Sequence, residues 1–353
     1  MAKKILLVDD SALMRSILGD IINKDSRFHV EDKAKDGSEA LELLRTKKYD
    51  AMVLDINMPV MNGFALMKKL REEKIVIKVM ISSTDSAEGS KVAMDALEAG
   101  AVDFVQKPDK ASIARGNDFA AEFLKTLAGV CESVEISDSR MTRAEHAILN
   151  IKPQASSVRT LGNKIVCIAS STGGPRSLQS VIPKLPGRLN APVVVVQHMP
   201  EGFTHSLAVR LDSMSEVKVQ EAKEGEEIKK GNVYIAKGGT HMVVNNSGGR
   251  CTIHFKDAPP RESVKPCANY TYESLADTRY DEVVCVVLTG MGQDGTEGIL
   301  NLKKQKKTYV ISQNADTCIV YGMPKAVEKA GLSNTVLALG DIAEAIVEQV
   351  GVQ

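Results

Sequence analysis

The sequence predicts an α/β protein of two domains, and three observations predict it. The chain has 353 residues, beyond the ~250–300 at which one hydrophobic core stops growing. Short apolar runs alternate with helical patterns from residue 3 to about 108. After a polar stretch, a second alternation of the same kind begins at KIVCIAS.

In the first alternation, KILLVDD is followed by SALMRSILGDIIN, FHVEDKA, SEALELLRTK, YDAMVLD, GFALMKKLREE, IKVMISS, SKVAMDALEAG and VDFVQKP. This reads as five strands separated by four helices, with residues 111–130 available for a fifth helix. Strict alternation predicts a parallel sheet covered on both faces, with its ligand site beyond the carboxyl ends of the strands. Residues 131–162 are polar and lack sustained periodicity, which makes them the expected linker between domains at 1–130 and 163–353. In the second domain the strongest strands are Lys164–Ala169, Val193–Gln197, Val283–Thr289 and Tyr309–Ser312. Gly and Asn turns within EGEEIKKGNVYIAKGGTHMVVNNSGGRCTIHF suggest one or two inserted hairpins.

Composition narrows the function classes. Lys+Arg and Asp+Glu are balanced at 45 each, so no net field draws in a polyanion and no nucleic-acid partner is expected. No helix-turn-helix pattern follows the linker, which argues against a DNA reader. Cys131, Cys167, Cys251, Cys267, Cys285 and Cys318 form no CxxC pair, and reduced thiols in a cytoplasm are expected. The opening MAKKILLVDD reads as neither signal peptide nor membrane span, and no apolar run approaches ~20 residues. A protein that is not membrane-embedded is expected.

In the first domain the acids carry the chemistry. Asp9 and Asp10 end the first strand and Asp55 the third, so three carboxylates converge at one sheet edge as a hard-oxygen site suited to Mg²⁺. Ser82 ends the fourth strand and Lys107 follows the fifth. Any one of these alone reads as a helix cap or a surface charge. Five at matching strand ends describe phosphoryl transfer onto an aspartate.

The segments VDDSALMRSIL, LDINMPVMNG, MISS and DFVQKP resemble the response-regulator receiver family. The resemblance implies a flavodoxin-like, five-stranded parallel fold with Asp55 as phosphoacceptor. It also implies Mg²⁺ held by Asp10, Asp55 and the backbone carbonyl of Asn57 with help from Asp9, switch positions at Ser82, Phe104 and Lys107, and a cis bond before Pro108.

In the second domain three strand ends matter. IVCIA leads into Ser170, Ser171, Thr172, Gly173 and Gly174, with Pro175 opening a helix whose first N–H groups suit an anion or oxyanion. PVVVVQHMP puts His198 just past a strand, and VVCVVLTGMGQDG puts Asp294 in a glycine-rich loop after another. Serine, histidine and aspartate at three such edges supply a nucleophile, a base and an orienting carboxylate. Their order, Ser–His–Asp, differs from the common triads, and no GxSxG surrounds Ser171. STGGP could instead cradle a nucleotide phosphate, but neither GxxxxGK[ST] nor GxGxxG is present. His205, His241 and His254 compete with His198 without following a long strand, and no HxxxH or CxxC spacing supports a metal.

IASSTGGPRSLQ, VVQHMPEGFTHSLAVRLD and VLTGMGQDGTEG resemble the methylesterase domain of chemotaxis response regulators, a doubly wound α/β domain. The resemblance implies Ser171 as nucleophile, His198 as base, Asp294 as carboxylate, and the backbone N–H of Met291 at the oxyanion with Thr172 nearby. Ser170 stands where alanine is expected and Gln293 where asparagine is expected. Further implications are glutamyl methyl-ester hydrolysis on methyl-accepting chemotaxis receptors, room for glutamine deamidation, and no esterase cofactor. A histidine kinase is the implied phosphodonor, and the unphosphorylated receiver is expected to cover the esterase cleft.

Overall fold

The computed structural model describes residues 2–83, 87–107, 117–134 and 162–353. The chain divides into two compact units, Met1–Ser133 and Val134–Gln353. Most of the expected linker, 135–161, and Pro108 with its expected cis bond lie outside the described residues.

The first unit holds β1 (Lys3–Val8), α1 (Ala12–Lys24), β2 (Phe28–Ala34), α2 (Gly37–Thr46) and β3 (Ala51–Asp55). It continues with α3 (Gly63–Glu72), β4 (Val79–Ser83), α4 (Ala87–Glu98), β5 (Asp103–Gln106) and α5 (Asn117–Glu132). The sheet order is β2-β1-β3-β4-β5, all parallel. Its central strands are buried on both faces: Ile5, Leu6, Leu7, Met52, Val53 and Leu54 have no exposed surface, as expected when helices cover both sides. Helices start where polar side chains cap them: Ser11 accepts from Met14 N–H, Asp36 from Ser38 and Glu39, and Asn62 from Ala65. Register then sets the chemistry, because β3 and β4 pair Asp55 with Ser82.

The second unit has β6 (Lys164–Ser170), α6 (Gly174–Val181), β7 (Val193–Gln197), α7 (Phe203–Met214), β8 (Lys218–Glu221) and β9 (Asn232–Ile235). After these come β10 (His241–Ser247), β11 (Arg250–Lys256), α8 (Ala268–Ser274), β12 (Glu282–Val287), α9 (Thr296–Lys303), β13 (Lys307–Gln313), α10 (Met323–Lys329), β14 (Thr335–Leu337) and α11 (Ile342–Val350). Seven parallel strands run in the order β14-β13-β12-β6-β7-β9-β8. The chain winds outward from β6 one way and from β12 the other, so their shared carboxyl edge is the topological switch point where such sheets bind ligands. Ile165, Cys167, Val194, Val196, Val283, Cys285 and Val287 form the core beneath it.

The turn-rich segment contains one hairpin, β10–β11, in keeping with the one or two expected there. Asn232–Ile235 lies in the main sheet between β7 and β8, with Val233, Tyr234 and Ile235 buried. Burial in the parallel sheet outweighed the flanking glycine turns. All six cysteines are free and buried.

Candidate active site

Three neighbouring strand ends bring the second unit's site together. Ser171 follows β6, and its N–H donates to Thr289 O at 3.0 Å, fixing it against the end of β12. His198 follows β7, and its N–H donates to Ser170 O at 3.0 Å. Gly173, at φ +75, makes the turn into α6 in a conformation that a side chain would strain. Gly290 is needed for a different reason: a Cβ there would lie 2.6 Å from Ser171 Cβ. The single Thr289 hydroxyl hydrogen is shared between Thr172 O and Val320 O, each at 3.1 Å, and ties the two loops together.

His198 Nε2 lies 2.7 Å from Asp294 Oδ2. Asp294 is buried, and burial pushes its carboxyl pKa up. The His198 hydrogen bond and charge, with Cys267 and Ala268, outweigh that and hold it lowered to about 2. Its Oδ1 accepts from Cys267 Sγ (3.0 Å), Asn269 N–H (3.0 Å) and Gly295 N–H (2.8 Å). Its Oδ2 also accepts from Ala268 N–H at 2.6 Å. An ionised carboxylate only accepts, so Nε2 carries a ring hydrogen, and in the neutral ring Nδ1 is the nitrogen with the free lone pair. Nδ1 is buried with no hydrogen-bond partner among the described residues, so the ring and the Ser171 hydroxyl are not hydrogen-bonded to each other. Among the described residues, the N–H groups of Thr172 and Met291 donate to no backbone carbonyl.

The two adjacent serines differ. Ser170 is fully buried and its hydroxyl donates to Gln197 Oε1 at 2.7 Å. Ser171 keeps 9% of its surface. Gln293 is exposed, and its Nε2 lies 3.4 Å from each carboxylate oxygen of Glu262. The competing histidines sit elsewhere: His241 Nε2 contacts Pro259 O at 3.1 Å, His254 pairs with Glu224 at 2.6 Å, and His205 lies on α7. Cys267, Asn269 and Gln197 are contributors that sequence spacing did not reveal.

In the first unit, one ligand oxygen from each of Asp9, Asp10 and Asp55 lies within 4.8 Å of the others. Lys107 Nζ stands 2.8 Å from both Asp9 Oδ2 and Asp55 Oδ2. Burial raises the Asp55 pKa above the ordinary carboxylate value, and Lys107 only partly offsets it. Burial pulls the Lys107 pKa down, but Asp55 and Asp9 outweigh it and leave it raised. Ser82 Oγ, beside Asp55, is buried and has no hydrogen-bond partner among the described residues. Asn57 is exposed, with its N–H 3.4 Å from Asp55 Oδ1, and Phe104 is buried. A divalent cation fits this donor set, since hard carboxylate oxygens converge beside an orphaned hydroxyl.

The sequence profile of the CheB methylesterase family matches residues 166–346. The chain belongs to the CheB methylesterase family. A profile for the response regulator receiver domain matches residues 5–115. Among its relatives, the protein-glutamate methylesterase/protein-glutamine glutaminase of Geobacillus kaustophilus is 38% identical over 352 residues, 99% of each chain. The protein of the same name from Bacillus subtilis is 40% identical over 349 residues, 97% of each chain. The crystal structure of the Thermotoga maritima CheB methylesterase catalytic domain is 45% identical, covers 54% of this chain and all of that one, and superposes with a TM-score of 0.52. For this CheB family member, the doubly wound fold of the second unit is thereby shown. Among the described residues, no helix is long and apolar enough to cross a membrane.

Proposed function

We propose that this chain is a phosphorylation-controlled serine esterase that demethylates glutamyl methyl esters on chemotaxis receptors and deamidates receptor glutamines by the same acyl chemistry. The observation that carries the reading is the His198–Asp294 pair: a buried, ionised carboxylate fixes the ring so that its basic nitrogen is the one without a partner. Ser171, on the adjacent strand end, is the nucleophile. Its Oγ attacks the ester carbonyl as His198 Nδ1 takes its proton, and Asp294 stabilises the imidazolium. The N–H groups of Thr172 and Met291 receive the oxyanion, each worth on the order of 10²–10³ in rate. Collapse expels methanol, which leaves with the proton from Nδ1. Water then attacks the acyl-enzyme by the same route and releases glutamate. With a glutamine substrate the leaving group is ammonia.

In the receiver, Asp55 accepts the phosphoryl group from a histidine kinase. Asp9, Asp10 and Asp55 would hold Mg²⁺, with the Asn57 carbonyl as a further ligand, and the ion would neutralise charge on the phosphoryl oxygens. Lys107 and Ser82 supply a cation and a hydroxyl for those oxygens, and Phe104 belongs to the switch that reads them. Phosphorylation then relieves inhibition of the esterase, as in other modification-driven switches. The protein works in the cytoplasm on the cytoplasmic faces of receptors. Methanol release from methylated receptor membranes tests this reading: wild type should release it and Ser171→Ala should not. Inert wild type under phosphorylating conditions would refute it.

A further inference from the structure

Between the strand ends that carry Ser171 and His198 lies a buried carboxamide that the triad chemistry leaves unused. Gln197, the last residue of β7, pairs in register with Ser170, the last of β6. It is 2% exposed. Its Nε2 donates to Ser171 O at 3.0 Å and to His198 O at 3.0 Å, so both amide hydrogens are used. Its Oε1 accepts from the Ser170 hydroxyl at 2.7 Å. The amide orientation is determined by this set, because a flipped group would aim its oxygen at two carbonyl oxygens. Space has been cleared for it as well: a Cβ on Gly174 would collide with Gln197 Oε1.

We propose that Gln197, oriented by Ser170, is a positioning residue that aligns nucleophile, base and oxyanion donor at once. This rests on the reading of Ser171 and His198 given above. The peptide between Ser171 and Thr172 is one rigid plane, in which the Ser171 carbonyl and the Thr172 N–H point in opposite directions. Holding that carbonyl therefore aims the N–H. One contact to the carbonyl comes from Gly174 N–H at 2.7 Å and the other from Gln197. The second Gln197 hydrogen fixes the carbonyl that follows the His198 side chain. A single planar group thus sets the relative placement of two backbone segments on different strands. Misplacement of reacting groups by about 1 Å costs on the order of 10²-fold in rate.

The test uses the full-length protein, with methylated receptor membranes for kcat and KM and a fluorophosphonate for the rate and stoichiometry of Ser171 labelling. Gln197→Met keeps length and burial but removes both donors. It should lower kcat and labelling rate by roughly 30–100-fold, with KM within about threefold and full final labelling. A purely structural role would instead reduce the fraction of sites that label. Gln197→Glu supplies a second readout that does not depend on the first variant folding well. A carboxylate facing two carbonyls has a raised pKa, and once protonated it regains one donor and one acceptor. Its activity relative to wild type should therefore rise as pH falls from 8 to 6. Ser170→Ala, which frees only the amide oxygen, should cost several-fold. If wild type is not labelled at Ser171, the catalytic reading falls and the brace falls with it. If wild type is labelled but Gln197→Met reacts at the wild-type rate, or Gln197→Glu keeps a flat ratio across pH, the brace alone falls.

Discussion

Replacing Asp294 with asparagine changes one oxygen to an NH₂ group, and the surroundings leave that group nowhere to go. One side of the carboxylate faces three donors, from Cys267, Asn269 and Gly295. The other faces the Ala268 N–H and the His198 ring. The amide fits better toward the second side, where it opposes fewer donors. There its hydrogens require His198 Nε2 to accept, which moves the ring hydrogen to Nδ1 and removes the base. Loss of the right tautomer in a serine triad costs on the order of 10⁴ in kcat. At least one buried N–H also loses its acceptor, at roughly 1–3 kcal/mol of stability. The assay is kcat for methanol release, with urea unfolding on the same preparation. A fall in kcat of less than tenfold in a folded variant would refute the assignment of Nδ1 as the proton acceptor.

Other outcomes follow from the same geometry. Ser171→Ala should reduce methanol release by at least ~10³-fold, whereas Ser170→Ala should retain measurable turnover and fluorophosphonate labelling; the reverse pattern would exchange their roles. Asp55→Asn should take up no phosphoryl label from a small acyl phosphate and show no stimulation of the esterase, and chelating divalent cations should have the same effect on wild type. The Asp294 carboxyl is held at about 2 in the fold against ~3.9 when unfolded. Its folded value is depressed, so its stabilisation is fully present above pH ~4 and is lost as pH falls toward 2. It amounts to on the order of 2 kcal/mol. The stability gap between wild type and Asp294→Asn should therefore narrow from pH 5 to pH 3, and a constant gap in urea titrations would count against it.

The sequence made the strand-end residues legible because a parallel sheet sends every carboxyl end to one edge. Asp9, Asp55 and Ser82 could each be assigned to that edge of the first sheet from their positions at strand ends, and Ser171, His198 and Asp294 to that edge of the second. The short strands were harder to read. Lys218–Glu221 and Thr335–Leu337 are too brief to show a period, and Asn232–Ile235 sits among glycine turns that signal hairpins. The supports of the site were hidden for another reason. Cys267 and Asn269 meet Asp294 from more than 20 residues away in sequence. Gln197 at a strand terminus reads as an ordinary polar ending, and its partners are backbone carbonyls that no side-chain pattern records.

The burial of all six cysteines, with no tryptophan in the chain, makes the protein a quiet background for spectroscopy. A thiol-directed dye should ignore the native molecule and react only as it unfolds, so reagent uptake doubles as an unfolding clock. One cysteine introduced at an exposed site such as Val60, five residues past Asp55, would carry a label alone. Phosphorylation could then be followed in the intact chain without first removing any native cysteine.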